Sequence, residues 1–180
     1  MKKRGKIEYI AAYMIICFTG LLMLFSFSVK EVRQNEIFIK DGLDSACLAA
    51  ALIDLEDYAK DRFIFIPNYE YNRQIFLNAL KENLNLNNDY TPKEKALFDR
   101  ITVHEFIIYN IADGELYTYR YSDGKMPVLK TEGYDKNKRT PDGTLIESST
   151  IYADIGMNVT SFAGVTKYVH VKSSVDVVNN

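Results

Sequence analysis

The chain has 180 residues, 47% of them hydrophobic and 26% charged, with a formal net charge of −2. That is one domain's worth of chain, or one domain plus an anchor. It is large enough to bury a core without disulfides and too apolar to be wholly disordered. The near-neutral balance argues against a general nucleic-acid binder.

The charge is unevenly spread. Lys2, Lys3, Arg4 and Lys6 crowd the N-terminus, and no charged residue occurs from Tyr9 to Ser28. As a helix, Tyr9–Phe27 spans roughly 28 Å, close to the roughly 30 Å hydrocarbon core of a bilayer. A core helix of a soluble protein would carry a polar stripe, and this run has none. Basic residues stay on the cytoplasmic side. Residues 1–8 therefore read as a cytoplasmic basic tip and 9–28 as a single transmembrane helix, with the rest extracytoplasmic. Tyr9 and Tyr13 fall near the inner interface. The competing reading is a cleavable signal peptide with Ser26-Phe27-Ser28 as a small-x-small cut site. The run is longer than a usual signal core, which favours a retained anchor. Residues 9–180 carry 18 basic and 23 acidic side chains, a net −5. That balance suits solubility rather than attachment to anionic lipid or nucleic acid.

Residues 29–60 form a helical neck. Val32, Ile39, Leu43, Cys47, Ala50 and Ile53 recur at three- to four-residue steps and share one helical face. Leu48, Leu52, Leu55 and Ala59 make a second stripe. Asp44 to Tyr58 is rich in strong helix formers and small residues, and Leu43, Ala46, Cys47, Ala50 and Ala51 invite close helix packing. The spacing predicts one helix from about residue 7 to 60, with a kink near Asp41-Gly42 and a locally extended option at Glu36–Ile39. Such a helix outreaches a domain of this size, so it calls for the bilayer and partner helices. The two cysteines, Cys17 and Cys47, lie about 45 Å apart on it and cannot pair within the chain. Cys47 reads as a small residue in an apolar stripe or as an intermolecular disulfide.

Residues 61–180 form an α+β domain. Arg62–Pro67 reads as a short strand, and Tyr71, Ile75, Phe76, Ala79 and Leu80 predict a helix over about 70–84. Asn83–Asn88 is its Asn-rich exit, and Thr91-Pro-Lys-Glu94 fits the cap of a short helix over 92–99. Thr102–Ile111, Asp113-Gly114 and Glu115–Tyr121 carry a hairpin signature. Ser122–Lys125 is a further turn, and residues 130–143 read as a loop. Ile151, Ala153, Ile155, Met157 and Val159 alternate with polar or small neighbours, as do Val169, Val171, Val175 and Val177. These predict half-buried antiparallel strands.

Chemistry-bearing patterns are sparse. His104 and His170 lie in predicted strands, far apart in sequence, with no Gly-x-Ser-x-Gly elbow and no metal-ligand spacing. Asp54, Glu56 and Asp57 read as a solvated acidic face, and Asp135–Gly143 fails the calcium-loop pattern. No phosphate-binding glycine loop occurs. Tyr117, Tyr119 and Tyr121 share one strand face, a possible glycan-binding surface or a packing surface. Asn158-Val-Thr160 is a glycosylation sequon within a strand. These residues point to no catalytic site, cofactor, metal or small-molecule substrate.

Lys3-Arg4-Gly5, then Glu8-Tyr9 at the head of an apolar helix, resembles the N-terminus of bacterial pilin-like proteins, above all the TadE-like pseudopilins of tight-adherence (Tad) pilus systems. The small-residue stretch Asp44–Ala51 and the Val-rich C-terminal strands resemble theirs too. Glu8 stands three residues after Gly5, closer than is usual in that family. The resemblance implies a pilin-like fold, processing or assembly roles for Gly5, Glu8 and Tyr9, and like subunits as partners. Glu8 also reads simply as a carboxylate in the headgroup zone beside Arg4 and Lys6. The expectation is a non-enzymatic, membrane-anchored subunit of a pilus or secretion assembly, packing through its N-terminal helix. The alternatives are a single-pass surface binding or scaffold module unrelated to pili, and an exported enzyme. The last is disfavoured by the missing motifs.

Overall fold

The computed structural model describes residues 2–52, 64–94, 96, 98–161, 164 and 166–177, with side chains from residue 8 onward. Helix α1 runs Lys2–Ala50 and helix α2 Tyr69–Asn83. Five strands follow: β1 Thr102–Ala112, β2 Glu115–Ser122, β3 Val128–Gly133, β4 Thr150–Thr160 and β5 Thr166–Asp176. They form one antiparallel sheet in the order β3-β2-β1-β4-β5. The fold is thus α+β: a long N-terminal apolar helix, a second helix and a small five-stranded antiparallel sheet.

The long helix divides into two environments. From Tyr9 to Phe27 its large apolar side chains are exposed, Tyr9 at 81% and Phe27 at 67%. From Ile39 onward one face is buried: Ile39, Leu43, Ala46, Cys47 and Ala50 are sealed in the main core with Ile66, Phe76, Leu80 and the inner face of the sheet. The predicted stripe is the observed one as far as Ala50, because residues at this spacing line one side of the helix. The second stripe is not buried: Leu48 and Leu52 face outward, and Leu55 and Ala59 lie outside the described residues. The helix also ends earlier than expected, at Ala50 rather than near residue 60. Asn72 explains the stop. Its Nδ2 donates to the Ala50 carbonyl at 2.9 Å and to the Leu52 carbonyl at 3.1 Å, satisfying groups that a helix end leaves orphaned. Glu36–Ile39 is helical and not extended. Helical hydrogen bonding also runs through Gly42. A Cβ there would lie 3.0 Å from Leu84 Cγ and closer still to a Leu84 methyl, so glycine permits close packing at this point.

Helix α2 starts at an Asn68 cap, whose side chain accepts from Tyr71 N at 3.1 Å. Its buried residues are Asn72, Phe76 and Leu80; the predicted Tyr71 is exposed, because at 3.6 residues per turn it lies off the stripe those three share. Phe76 stacks on Phe106 of β1 at 4.6 Å between ring centroids. Helix α1 packs on the β4–β5 side of the sheet and α2 against α1.

Three further expectations are corrected. Ile64–Pro67 is not a strand; Ile66 is instead gripped by the Asn110 side chain, which accepts from its N–H at 2.9 Å and donates to its carbonyl at 3.0 Å. Residues 92–99 form no helix among those described. Asp89 captures the Thr91 N–H and hydroxyl, Leu86 bridges to Pro92, and Phe98 bridges to Val159 of β4. Long-range pairing outweighs the local cap signal there. Residues 130–133 belong to β3, an edge strand whose burial is too slight to leave an alternating pattern. Strand β4 is also more than half-buried. It is central, and both of its faces are covered. A second cluster of Ile107, Tyr109, Leu116, Ile146 and Tyr152 lies on the outer face under the 134–146 loop. The Asp113-Gly114 turn matches its sequence signature, with φ of 52° and 78° in the left-handed region.

Candidate functional site

Convergent polar cavities and uncovered apolar surfaces are the features that mark binding and interaction sites. Among the described residues, exposed large apolar side chains concentrate in the first half of α1. It is long and apolar enough, by length and composition, to cross a membrane, and none of its most apolar stretch is buried. Thr19 donates back to the Ile15 carbonyl at 2.6 Å, so its hydroxyl is satisfied within the helix, as a lipid environment requires. Gly5 lies in the first turns of α1. Glu8 and Tyr9 follow it as exposed residues, one immediately before the uncharged run and one at its head.

The helix-packing residues Leu43, Ala46, Cys47 and Ala50 are fully buried inside the chain's own domain, with Ala51 partly buried against the same core. They are therefore not free to meet another subunit. The small residues serve the close approach of α1 to α2 and the sheet. Burial pushes the Cys47 thiol up to about 12, which with its zero exposure removes the intermolecular disulfide. Leu52, just past the helix end, is exposed by 46%, and what α1 itself presents outward beyond the apolar run is Ile37, Phe38 and Leu48, exposed by 60%, 50% and 60%. At 3.6 residues per turn these lie within about one third of the helix circumference, opposite the buried stripe.

The tyrosine row is occupied by the chain itself. Tyr119 is buried, stacks on Tyr69 at 5.1 Å and donates to Glu70 Oε2 at 2.9 Å. Burial, then that hydrogen bond, pushes the Tyr119 phenol up to about 12, while the same bond holds the Glu70 carboxyl below its usual range. The Arg73 guanidinium sits 4.1 Å over the Tyr121 ring, and Phe65 meets Tyr117 edge-on at 6.1 Å. The first turns of α2 and the segment before it thus bury Tyr119 and pack beside Tyr117 and Tyr121, which stay partly exposed, so the row serves as a packing surface.

The two histidines, far apart in sequence, meet on the outer face. His104 occupies a bulge in β1, between Val103 and Glu105. Its ring stacks on His170 at 4.9 Å, and its Nε2 lies 2.7 Å from the Tyr168 hydroxyl. His170 Nδ1 is 3.0 Å from Asp154. All of this happens over Gly156 of β4, where a Cβ would collide with Tyr168 and His104. Side chains of the two flanking strands cover a residue that has none. The signal for it was Gly156 in an otherwise bulky strand, but the pairing partners were not readable without the register. The polar contacts of the pair are the Tyr168 hydroxyl and the Asp154 carboxylate, and among the described residues no three His, Cys, Asp or Glu side chains are grouped to hold a metal ion.

The other sequence candidates are structural or undescribed. Asp54, Glu56 and Asp57 lie outside the described residues. In the 135–143 loop the Asp142 carboxylate takes hydrogen bonds from Thr140 and Ser174, which, against the cost of burial, hold it below its usual range. The sequon residue Asn158 is engaged through N and Nδ2 by the Asp99 carboxylate, each at 2.8 Å. Asn110 is the residue that sequence reasoning missed. Its fully buried amide binds Ile66 on both sides and lies 2.9 Å from the Ser149 hydroxyl. No protein-family model, curated protein or solved structure matches the chain.

Proposed function

We propose that the chain is a non-enzymatic, membrane-anchored, pilin-like subunit of a pilus or secretion assembly, of the TadE-like pseudopilin kind, packing through its N-terminal helix. One observation carries the reading. A single unbroken helix, Lys2–Ala50, is bare and apolar along its first half and built into the core of a small α+β domain along its last third. A helix used this way transmits the position of the anchor rigidly to the domain, which a flexible tether cannot do. Lys2, Lys3, Arg4 and Lys6 set its N-terminus in the cytoplasm and its sheet outside. Subunits meet through the apolar run and the outward residues Ile37, Phe38, Leu48 and Leu52. Glu8, at the inner edge of that run, is costly to leave unpaired and so suits a charge-paired role between neighbours.

The test is Glu8→Ala. Membrane-extracted native chain is expected to run as a multimer by native electrophoresis in mild detergent. The variant is expected to stay in the membrane fraction, with its domain folded, and to lose the multimer. Multimers unchanged by the substitution would sink the role given to Glu8, and a native monomer would favour a lone scaffold module instead.

A further inference from the structure

The outer face of the sheet, away from both helices, holds a cleft of about 370 Å³ between β1, β2, β3 and the 134–146 loop. Its size falls in the range of small-ligand sites. Its charge is opposite to that of the domain around it. Although residues 61–180 carry 14 basic and 16 acidic side chains, a net −2, the cleft is lined by Arg120, Lys130, Lys138 and Arg139 against one carboxylate, Glu132. Glu132 is shared by two of them: Lys130 Nζ and Lys138 Nζ each lie 2.6 Å from it. Arg120 reaches Glu105 only at 3.8 Å, and Arg139 donates to the Gly143 carbonyl at 2.7 Å, with no carboxylate within ion-pair distance among the described residues. Leu116 and Ile146 form an apolar floor between these cations.

We propose that this cleft binds a small anionic ligand: a carboxylate or phosphate group on a body of about sugar size. A surplus of cations around the apolar floor of a half-open cleft attracts an anion, and a guanidinium receives carboxylate or phosphate in a planar two-donor geometry. The domain's overall negative charge disfavours an extended polyanion such as nucleic acid, which would meet repulsion outside the cleft. The site is separate from the anchor and stands whether or not the chain assembles into a pilus.

The test uses the full chain in uncharged detergent micelles, titrated calorimetrically with citrate and with glucose 6-phosphate at low salt. Binding of at least one, with Kd below about 1 mM, is expected. Binding of citrate alone assigns the carboxylate class, and of the sugar phosphate alone the phosphate class. Arg139→Gln is expected to weaken binding about tenfold. Lys167→Gln, on exposed β5, is expected to leave it unchanged. Glu132→Gln removes the competing carboxylate and is expected to tighten binding severalfold. No binding of either probe, equal losses in Arg139→Gln and Lys167→Gln, or weakening in Glu132→Gln would each overturn the proposal.

Discussion

Asn110 shows how much of this domain rests on one side chain. It sits fully buried near the C-terminal end of β1 and acts as the missing strand partner for Ile66. The Ser149 hydroxyl lies between Asn110 Oδ1 at 2.9 Å and the Ile64 carbonyl at 2.7 Å, its one proton serving either. Replacing Asn110 with Ala leaves the Ile66 amide and carbonyl buried without partners. Each orphaned group costs about 1–3 kcal/mol, so Asn110→Ala is expected to destabilise the domain by several kcal/mol at most and about 2 at least. Urea unfolding of the detergent-solubilised chain measures this; a loss under about 0.5 kcal/mol would refute the hub. Nothing in the sequence marked Asn110, because an asparagine in a strand looks like an exposed polar residue until the segment it must bind is placed beside it. Cys47 was readable: its stripe of apolar neighbours already argued for burial, and the structure removes only its alternative as a disulfide former.

At the scale of elements, periodic segments were legible and context-dependent ones were not. Helix α2, the β1–β2 hairpin and the alternation of β4 and β5 follow from side-chain spacing and turn chemistry, which act locally. The 92–99 segment and β3 escaped. One is held by bridges to Leu86 and Val159, and the other is an edge with little burial to shape its sequence. Gly42 illustrates the same limit. In an isolated helix Gly→Ala gains about 1 kcal/mol. Here the new methyl meets Leu84, which is buried and has little room to move, and overpacking costs about 1–3 kcal/mol. Gly42→Ala is therefore expected to be destabilising, by about 1 kcal/mol, where propensity alone predicts the reverse; a higher melting temperature would contradict the packing argument. The β3–loop connection adds a pH prediction. Hydrogen bonds from Lys130 and then Lys138 hold Glu132 at about 2, below the ordinary 4.5. A depressed carboxylate stabilises the folded state above its ordinary value and loses that contribution as pH falls through the folded one. The thermal advantage of the native chain over Glu132→Gln is expected to be small, flat above about pH 5, and to shrink from about pH 4.5 toward 2. An advantage that grows on acidification would reverse the assignment.

For the whole molecule, the decisive property is that one helix is bare and apolar along one stretch and built into the domain core along another. The composition already separated an uncharged run from a charged remainder, and that division is what the structure shows as bare and buried stretches of α1. The direction of the neck's packing was not legible. Small residues at helical spacing suit a neighbouring subunit and a chain's own sheet equally, and only the tertiary fold decides between them. With Leu43, Ala46, Cys47, Ala50 and Ala51 turned inward, any contact with like helices falls to the opposite face, where Ile37, Phe38 and Leu48 lie. Disulfide crosslinking of single introduced cysteines in native membranes, in a Cys17→Ser background, tests this directly. Ile37→Cys and Leu48→Cys are expected to yield covalent dimers on mild oxidation, and Ala46→Cys none. Equal crosslinking from Ala46→Cys, or no dimer from either outward position, would contradict the account.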